Sequence, residues 1–125
     1  MSRDTAMNGV YGEICAARYL REHGYTIRTA NYRCRMGEID IVAEKKGTLV
    51  FAEVKTRGLG AIASAAESVG REKQRRLSLT AAQYMQQRNM HKPSRFDVLE
   101  VYLDERGEVR EIRHIEDAFD SRFKG

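Results

Sequence analysis

Apolar positions along the chain switch between helical spacing and strict alternation. In residues 5–23, Val10, Ile14, Ala17 and then Leu20 or Arg21 follow the three-to-four spacing of one helix face, which is expected to meet a core. Gly24 supplies a C-terminal stop. "YTIRTANYR" (25–33) has strand character and "CRMGE" turns the chain. "EIDIVAE" (38–44) alternates with period two, "KKG" (45–47) makes a tight connection, and "TLVFAEVKT" (48–56) returns as its partner. These strands predict an antiparallel meander of three.

The pattern then breaks at "RGLGAIASAAESVG" (57–70), whose glycines and small residues predict a loop with a short helical turn near 61–67. A second helix follows at about 71–90, with Leu77, Ala81, Tyr84 and Met85 inward and the arginines outward. "RFDVLEVYL" (95–103) reads as a buried strand, "DERGE" turns it, and "VREIRHI" (109–115) reads as an edge strand. A helix crossing from the third strand to the fourth gives a mixed central sheet flanked by helices, an α/β fold. No repeat or linker divides the chain, so residues 1–125 are expected to form one domain.

Within the central hairpin, charges interrupt the apolar alternation. Leu49, Phe51, Glu53 and Lys55 share one face of residues 48–56, and Asp40 lies on the adjoining strand. If "KKG" closes the hairpin, residues whose numbers sum to about 92 lie opposite each other, so Asp40 reaches Glu53 diagonally or across a bulge, and a register shifted by one residue lets the two converge at one end of the sheet. Two convergent carboxylates suit a hard cation such as Mg²⁺ or Mn²⁺. Lys55 could then orient water or stabilise charge on a phosphoryl group. Spacing alone leaves a plainer reading open, since E-x-K on a strand is more often a surface ion pair worth about 0–1 kcal/mol. Glu13 borders the apolar face of the first helix, either as a boundary residue or as a third carboxylate at the sheet end.

Charge distribution adds a candidate partner. The net charge is +4, but residues 1–96 carry 17 Lys/Arg against 9 Asp/Glu and residues 97–125 carry 5 against 9. Basic clusters at 28–35, 71–76 and 88–95 suit a polyanion such as nucleic acid. Arg33, Arg57, Lys73 and Arg76 are the candidate phosphate contacts, each equally an ordinary solvated cation. Arg95 and Asp97 read as an i, i+2 pair that stitches the sheet. Tyr11, Tyr25 and Tyr32 could stack on unpaired bases, but core packing with an exposed hydroxyl is the favoured reading. No apolar run approaches the roughly 18 residues of a membrane span, and the N-terminus lacks a signal-peptide core. Cys15 and Cys34 stand 19 residues apart with no metal-binding pattern, and His23, His91 and His114 have no ligand spacing. Free thiols and a cytoplasmic location are the expectation.

The D-x12-E-x-K pattern of Asp40, Glu53 and Lys55, after a Glu-bearing helix, resembles the PD-(D/E)xK nuclease superfamily. More of the chain resembles the YraN-like family of small bacterial proteins. The likeness lies in "GE" at 12–13, "NYR" at 31–33, "GEID" at 37–40, "FAEVKTR" at 51–57, Lys73 and "RFD" at 95–97. The resemblance implies a restriction-endonuclease-like αβββαβ core with an extra C-terminal edge strand, similar to archaeal Holliday-junction resolvases. It implies a Mg²⁺- or Mn²⁺-dependent DNA endonuclease acting on branched or otherwise structured DNA. Its active constellation would be Glu13, Asp40, Glu53 and Lys55, with the Val54 carbonyl as a further metal ligand. Junction cleavage would suit a homodimer. Two other classes stay open: a non-catalytic nucleic-acid-binding or adaptor protein that keeps the fold, and a structural protein whose E-x-K is a salt bridge.

Overall fold

The structure is a computed structural model that describes residues 5–58 and 69–120. The elements run α1 (Thr5–Glu22), β1 (Thr26–Cys34), β2 (Gly37–Lys45), β3 (Thr48–Gly58), α2 (Arg71–Gln87), β4 (Ser94–Leu103) and β5 (Val109–Phe119). They form one sheet in the order β1-β2-β3-β4-β5, antiparallel except where β3 runs parallel to β4. This is the expected αβββαβ order with β5 added at the edge. The loop and helical turn expected within 57–70 fall largely outside the described residues, and β3 itself extends through Arg57 and Gly58.

Local chemistry explains where the elements stop. Gly24 takes φ +89° after α1, and Tyr25 N–H closes onto the Leu20 carbonyl at 2.9 Å. Helix α2 ends at Gln87, sooner than the apolar spacing predicts. Asn89 adopts φ +51° and Met90 N–H bonds the Met85 carbonyl at 2.9 Å, the same termination built on asparagine. The β2–β3 hairpin pairs Lys45 with Thr48, so Lys46 and Gly47 alone make the turn, with φ of 51° and 81°. Positive φ at both positions matches the twist of the flanking strands. This turn sets Ile41 against Ala52 and Val42 against Phe51, a register one residue away from the sum of 92 expected from the sequence.

The sheet separates two apolar clusters. Leu49, Phe51, Phe96 and Val98 pack with Leu77, Ala81 and Tyr84 of α2. Ile41, Val50, Leu99 and Val101 pack with Ala16 and Leu20 of α1. The inward face predicted for α2 is therefore observed, with Met85 partly buried beside it.

The face predicted for α1 is observed only in part: Leu20 is buried and Ala17 packs beside it, but Val10 and Ile14 turn outward. Val10 is 59% exposed and Ile14 52%, whereas Gly12, Ala16 and Leu20 face the sheet. The reason is steric: a Cβ on Gly12 would overlap Thr56 Oγ1 of β3. Small residues let the helix backbone approach the strand closely, and that contact outweighs the burial of two larger side chains on another face. Tyr11 is also exposed, while Tyr25 and Tyr32 are buried. Their hydroxyls are not free, since Tyr25 receives Arg95 Nη2 at 2.7 Å and Tyr32 donates to Gln87 at 2.8 Å.

Arg95 and Asp97 do stitch the sheet. Asp97 is fully buried and accepts bonds from Arg95 (2.9 and 3.1 Å), His114 Nε2 (2.6 Å) and the Asp117 N–H (3.0 Å). Burial alone would raise its pKa, but these donors outweigh it and hold the carboxyl below its ordinary value.

Two outcomes follow for stability. Asp97→Ala leaves Arg95 without its buried partner and should cost about 3 kcal/mol in urea denaturation. Gly12→Val should cost about 1–3 kcal/mol in the same measurement by forcing α1 off β3. Wild-type midpoints in both variants would refute these assignments.

Candidate active site

The candidate site lies where the β2–β3 ladder ends. The last paired residues are Ile41 and Ala52, and one step further in the same register Asp40 faces Glu53. There the Val54 N–H bonds Asp40 Oδ2 at 2.8 Å, so a side chain takes a donor that a strand carbonyl would otherwise occupy. On its other side β2 loses its alternation. Ile39 packs in the α2 cluster and Ile41 in the α1 cluster, although they stand two positions apart and a regular strand would put them on one face. Asn31 sits beside this switch with φ +54°, between the pairs Ala30–Ile41 and Tyr32–Ile39. Asp40 therefore occupies a break in the pleat and lines grooves on both faces of the sheet.

Electrostatics mark the same spot. Burial, aided by the neighbouring Glu53 carboxylate, pushes the Asp40 pKa up to about 7 against the stabilising Val54 N–H. Glu53 is 7% exposed and is paired by Lys73 from the first turn of α2 and by Lys55 Nζ at 3.6 Å. Burial, then the adjacent Lys73, lowers the Lys55 pKa. Burial also acts to lower the Lys73 pKa, but its bond to Glu53 prevails and raises it. Glu13 stands at the rim on α1, beside the Gly12 contact with β3. Burial raises its pKa, opposed by a hydrogen bond from Asn31, and it feels the charges of Glu38 and Glu53.

With this geometry in place, sequence comparison gives the chain its relatives. Residues 12–101 match the model of "Uncharacterised protein family UPF0102". The chain belongs to this family. A UPF0102 protein from Alkaliphilus oremlandii is 42% identical over 114 residues, covering 89% of this chain and 96% of its own. Another from Lachnoclostridium phytofermentans is 45% identical over 117 residues, covering 92% and 94%. All the residues singled out above from Gly12 to Asp97 lie within the UPF0102 match. Among solved structures, SfsA from Pyrococcus furiosus in complex with Ca²⁺ aligns over 90% of this chain and 64% of its own. Its TM-score is 0.41 at 15% identity, a likeness too distant to guide function.

The structure brings together Asp40, Glu53 and Lys55 and adds Lys73 directly on Glu53. The sequence offered Lys73 as a phosphate contact or a solvated cation and not as a partner of Glu53, because helix residue 73 and strand residue 53 have no local relation. Arg76 lines the same groove but pairs with Glu72 at 3.3 Å. Arg57 bonds the buried Glu100 at 3.1 Å and lines a separate, smaller groove with Thr56 and Asp104. Arg33 pairs with Glu38 at 2.9 Å, both well exposed. Among the described residues, no group of three or more His, Cys, Asp or Glu has the spacing to hold a metal ion unaided. Asp40 and Glu53 are the two oxygen donors that meet. Their chemistry still fits Mg²⁺ or Mn²⁺, which bind through one or two carboxylates with waters and substrate phosphates completing the shell.

The raised Asp40 pKa has a definite sign in folding. The folded state holds the Asp40 proton more tightly than the unfolded chain, whose value lies near 4. Its contribution is therefore full at low pH and is lost as pH rises from about 4 to about 7. In metal-free buffer, Asp40→Asn should remove that decline and equal or exceed wild-type stability at about pH 8, measured by denaturation across the range. An unchanged slope would show that Asp40 titrates normally.

Proposed function

We propose that this protein is a metal-dependent endonuclease that hydrolyses phosphodiester bonds in DNA. The observation that carries the reading is the apposition of Asp40 and Glu53, two desolvated carboxylates held against each other with lysines alongside. Folding gains nothing from that repulsion, so a site of this kind points to chemistry. Asp40 and Glu53 would hold Mg²⁺ or Mn²⁺, with Glu13 and the Val54 carbonyl in support. The metal would neutralise charge building on the phosphoryl oxygens and lower the pKa of water. Lys55 sits beside the carboxylates, at 3.6 Å from Glu53, where it would orient the attacking water. Lys73 and Arg76 line the same groove and would meet substrate phosphates.

A second reading has its own support. Lys73 already neutralises Glu53, as it would in a nucleic-acid-binding protein that keeps the fold without turnover. Incubation with labelled linear, flapped, single-stranded and four-way-junction DNA in Mn²⁺, Mg²⁺ or EDTA separates the two. The nuclease reading expects wild-type cleavage that EDTA abolishes and that Asp40→Asn or Glu53→Gln lowers by about 100-fold or more. Binding without cleavage under every condition would favour the second reading.

A further inference from the structure

The described large hydrophobic side chains left most exposed, Val10, Tyr11 and Ile14, all lie on α1. Val10 and Ile14, one turn apart, form a wall of a groove of about 530 Å³ between α1 and the β1–β2 hairpin. The same groove is lined by Arg18 and Arg21 from the next turns of α1 and by Arg33 from β1. At one end it reaches Glu13 and Asp40. Those two carboxylates also line the groove on the α2 side, about 630 Å³, which continues past Lys55 and Lys73 to Arg76. The candidate site thus sits between two grooves, one on each face of the sheet: arginines outnumber carboxylates on the α1 side, whereas Glu38, Glu53 and Glu72 also line the α2 side.

The α1 groove differs from its neighbour in kind. Arg33 pairs with Glu38 at 2.9 Å where both are exposed to solvent, and Arg18 and Arg21 enter no ion pair among the described residues. Guanidinium groups without carboxylates are available to phosphate. The apolar wall narrows the choice of polyanion further. A duplex presents phosphates outward and keeps its base faces stacked inside, so Val10 and Ile14 would gain little from it. An unpaired strand exposes base faces that seek apolar contact while its backbone seeks cations.

We infer that the groove between α1 and the β1–β2 hairpin seats an unpaired nucleic-acid strand, with Arg18, Arg21 and Arg33 on its phosphates and Val10 and Ile14 against its bases. This rests on the reading that the Asp40–Glu53 site acts on nucleic acid, and it names the form of substrate: a single strand or flap leading to the site. It also accounts for α1 turning Val10 and Ile14 away from the core.

The test is fluorescence anisotropy with a labelled oligothymidylate of roughly 20 nucleotides and a duplex of equal length, in EDTA and over a salt series. Wild type would be compared with Arg18→Glu/Arg21→Glu and with Val10→Ser/Ile14→Ser. All four substituted positions are exposed, and thermal melts would verify folding. The inference expects the arginine variant to weaken single-strand binding by about tenfold or more, with a shallower salt slope. It expects the serine variant to weaken single-strand binding severalfold and leave duplex binding unchanged. Wild-type binding that both variants retain would overturn the groove assignment and leave the nuclease reading standing. No wild-type binding to either probe would remove both. Sedimentation showing a wild-type dimer that the serine variant splits would assign Val10 and Ile14 to self-association and overturn the inference.

Discussion

The two-residue turn at Lys46–Gly47 governs the rest of the molecule. It sets the β2–β3 register so that Asp40 faces Glu53 immediately beyond the last paired residues. A slip of one residue would move each side chain of one strand to the other face of the sheet. It would separate the carboxylates and bury the wrong residues against α1 and α2. The same hairpin supplies the central strand β3, against which β4 pairs in parallel and α1 packs through Gly12 and Thr56. Core, helix placement and candidate site all descend from one turn.

The buried and half-buried acids inside this fold fall into two kinds. Asp97 is surrounded by donors, and Glu100 is matched by Arg57, so each behaves as an internal strut. Asp40 receives one backbone N–H and otherwise faces another carboxylate. Lys73 and Lys55 neutralise Glu53, but neither removes the desolvation that raises Asp40. Burial with incomplete pairing is costly for stability, which is why this pair, and not Asp97, is the candidate for function.

Glu13 ties the first helix to that chemistry. Gly12 brings the α1 backbone onto β3, and the next residue therefore stands at the rim of the carboxylate pair. Close packing at Gly12 and exposure of Val10 and Ile14 are two sides of one rotation of α1. A helix pressed to the sheet by its largest apolar side chains would stand farther away and carry Glu13 with it.

Much of this was legible in the residues. Period-two alternation on either side of a tight turn identified the β2–β3 hairpin, and apolar spacing in α2 identified Leu77, Ala81 and Tyr84 as core. Asp40, Glu53 and Lys55 stood out because charges are costly on half-buried strands. Such signals are local, so they survive in one dimension. Tertiary structure alone decided the hairpin register, the Lys73–Glu53 contact, the commitment of Arg57 to Glu100 and the outward face of α1. Each depends on how closely elements distant in sequence approach one another. The pattern of large apolar residues along α1 could not reveal that a glycine and an alanine would make the contact, because close packing rewards the absence of a side chain.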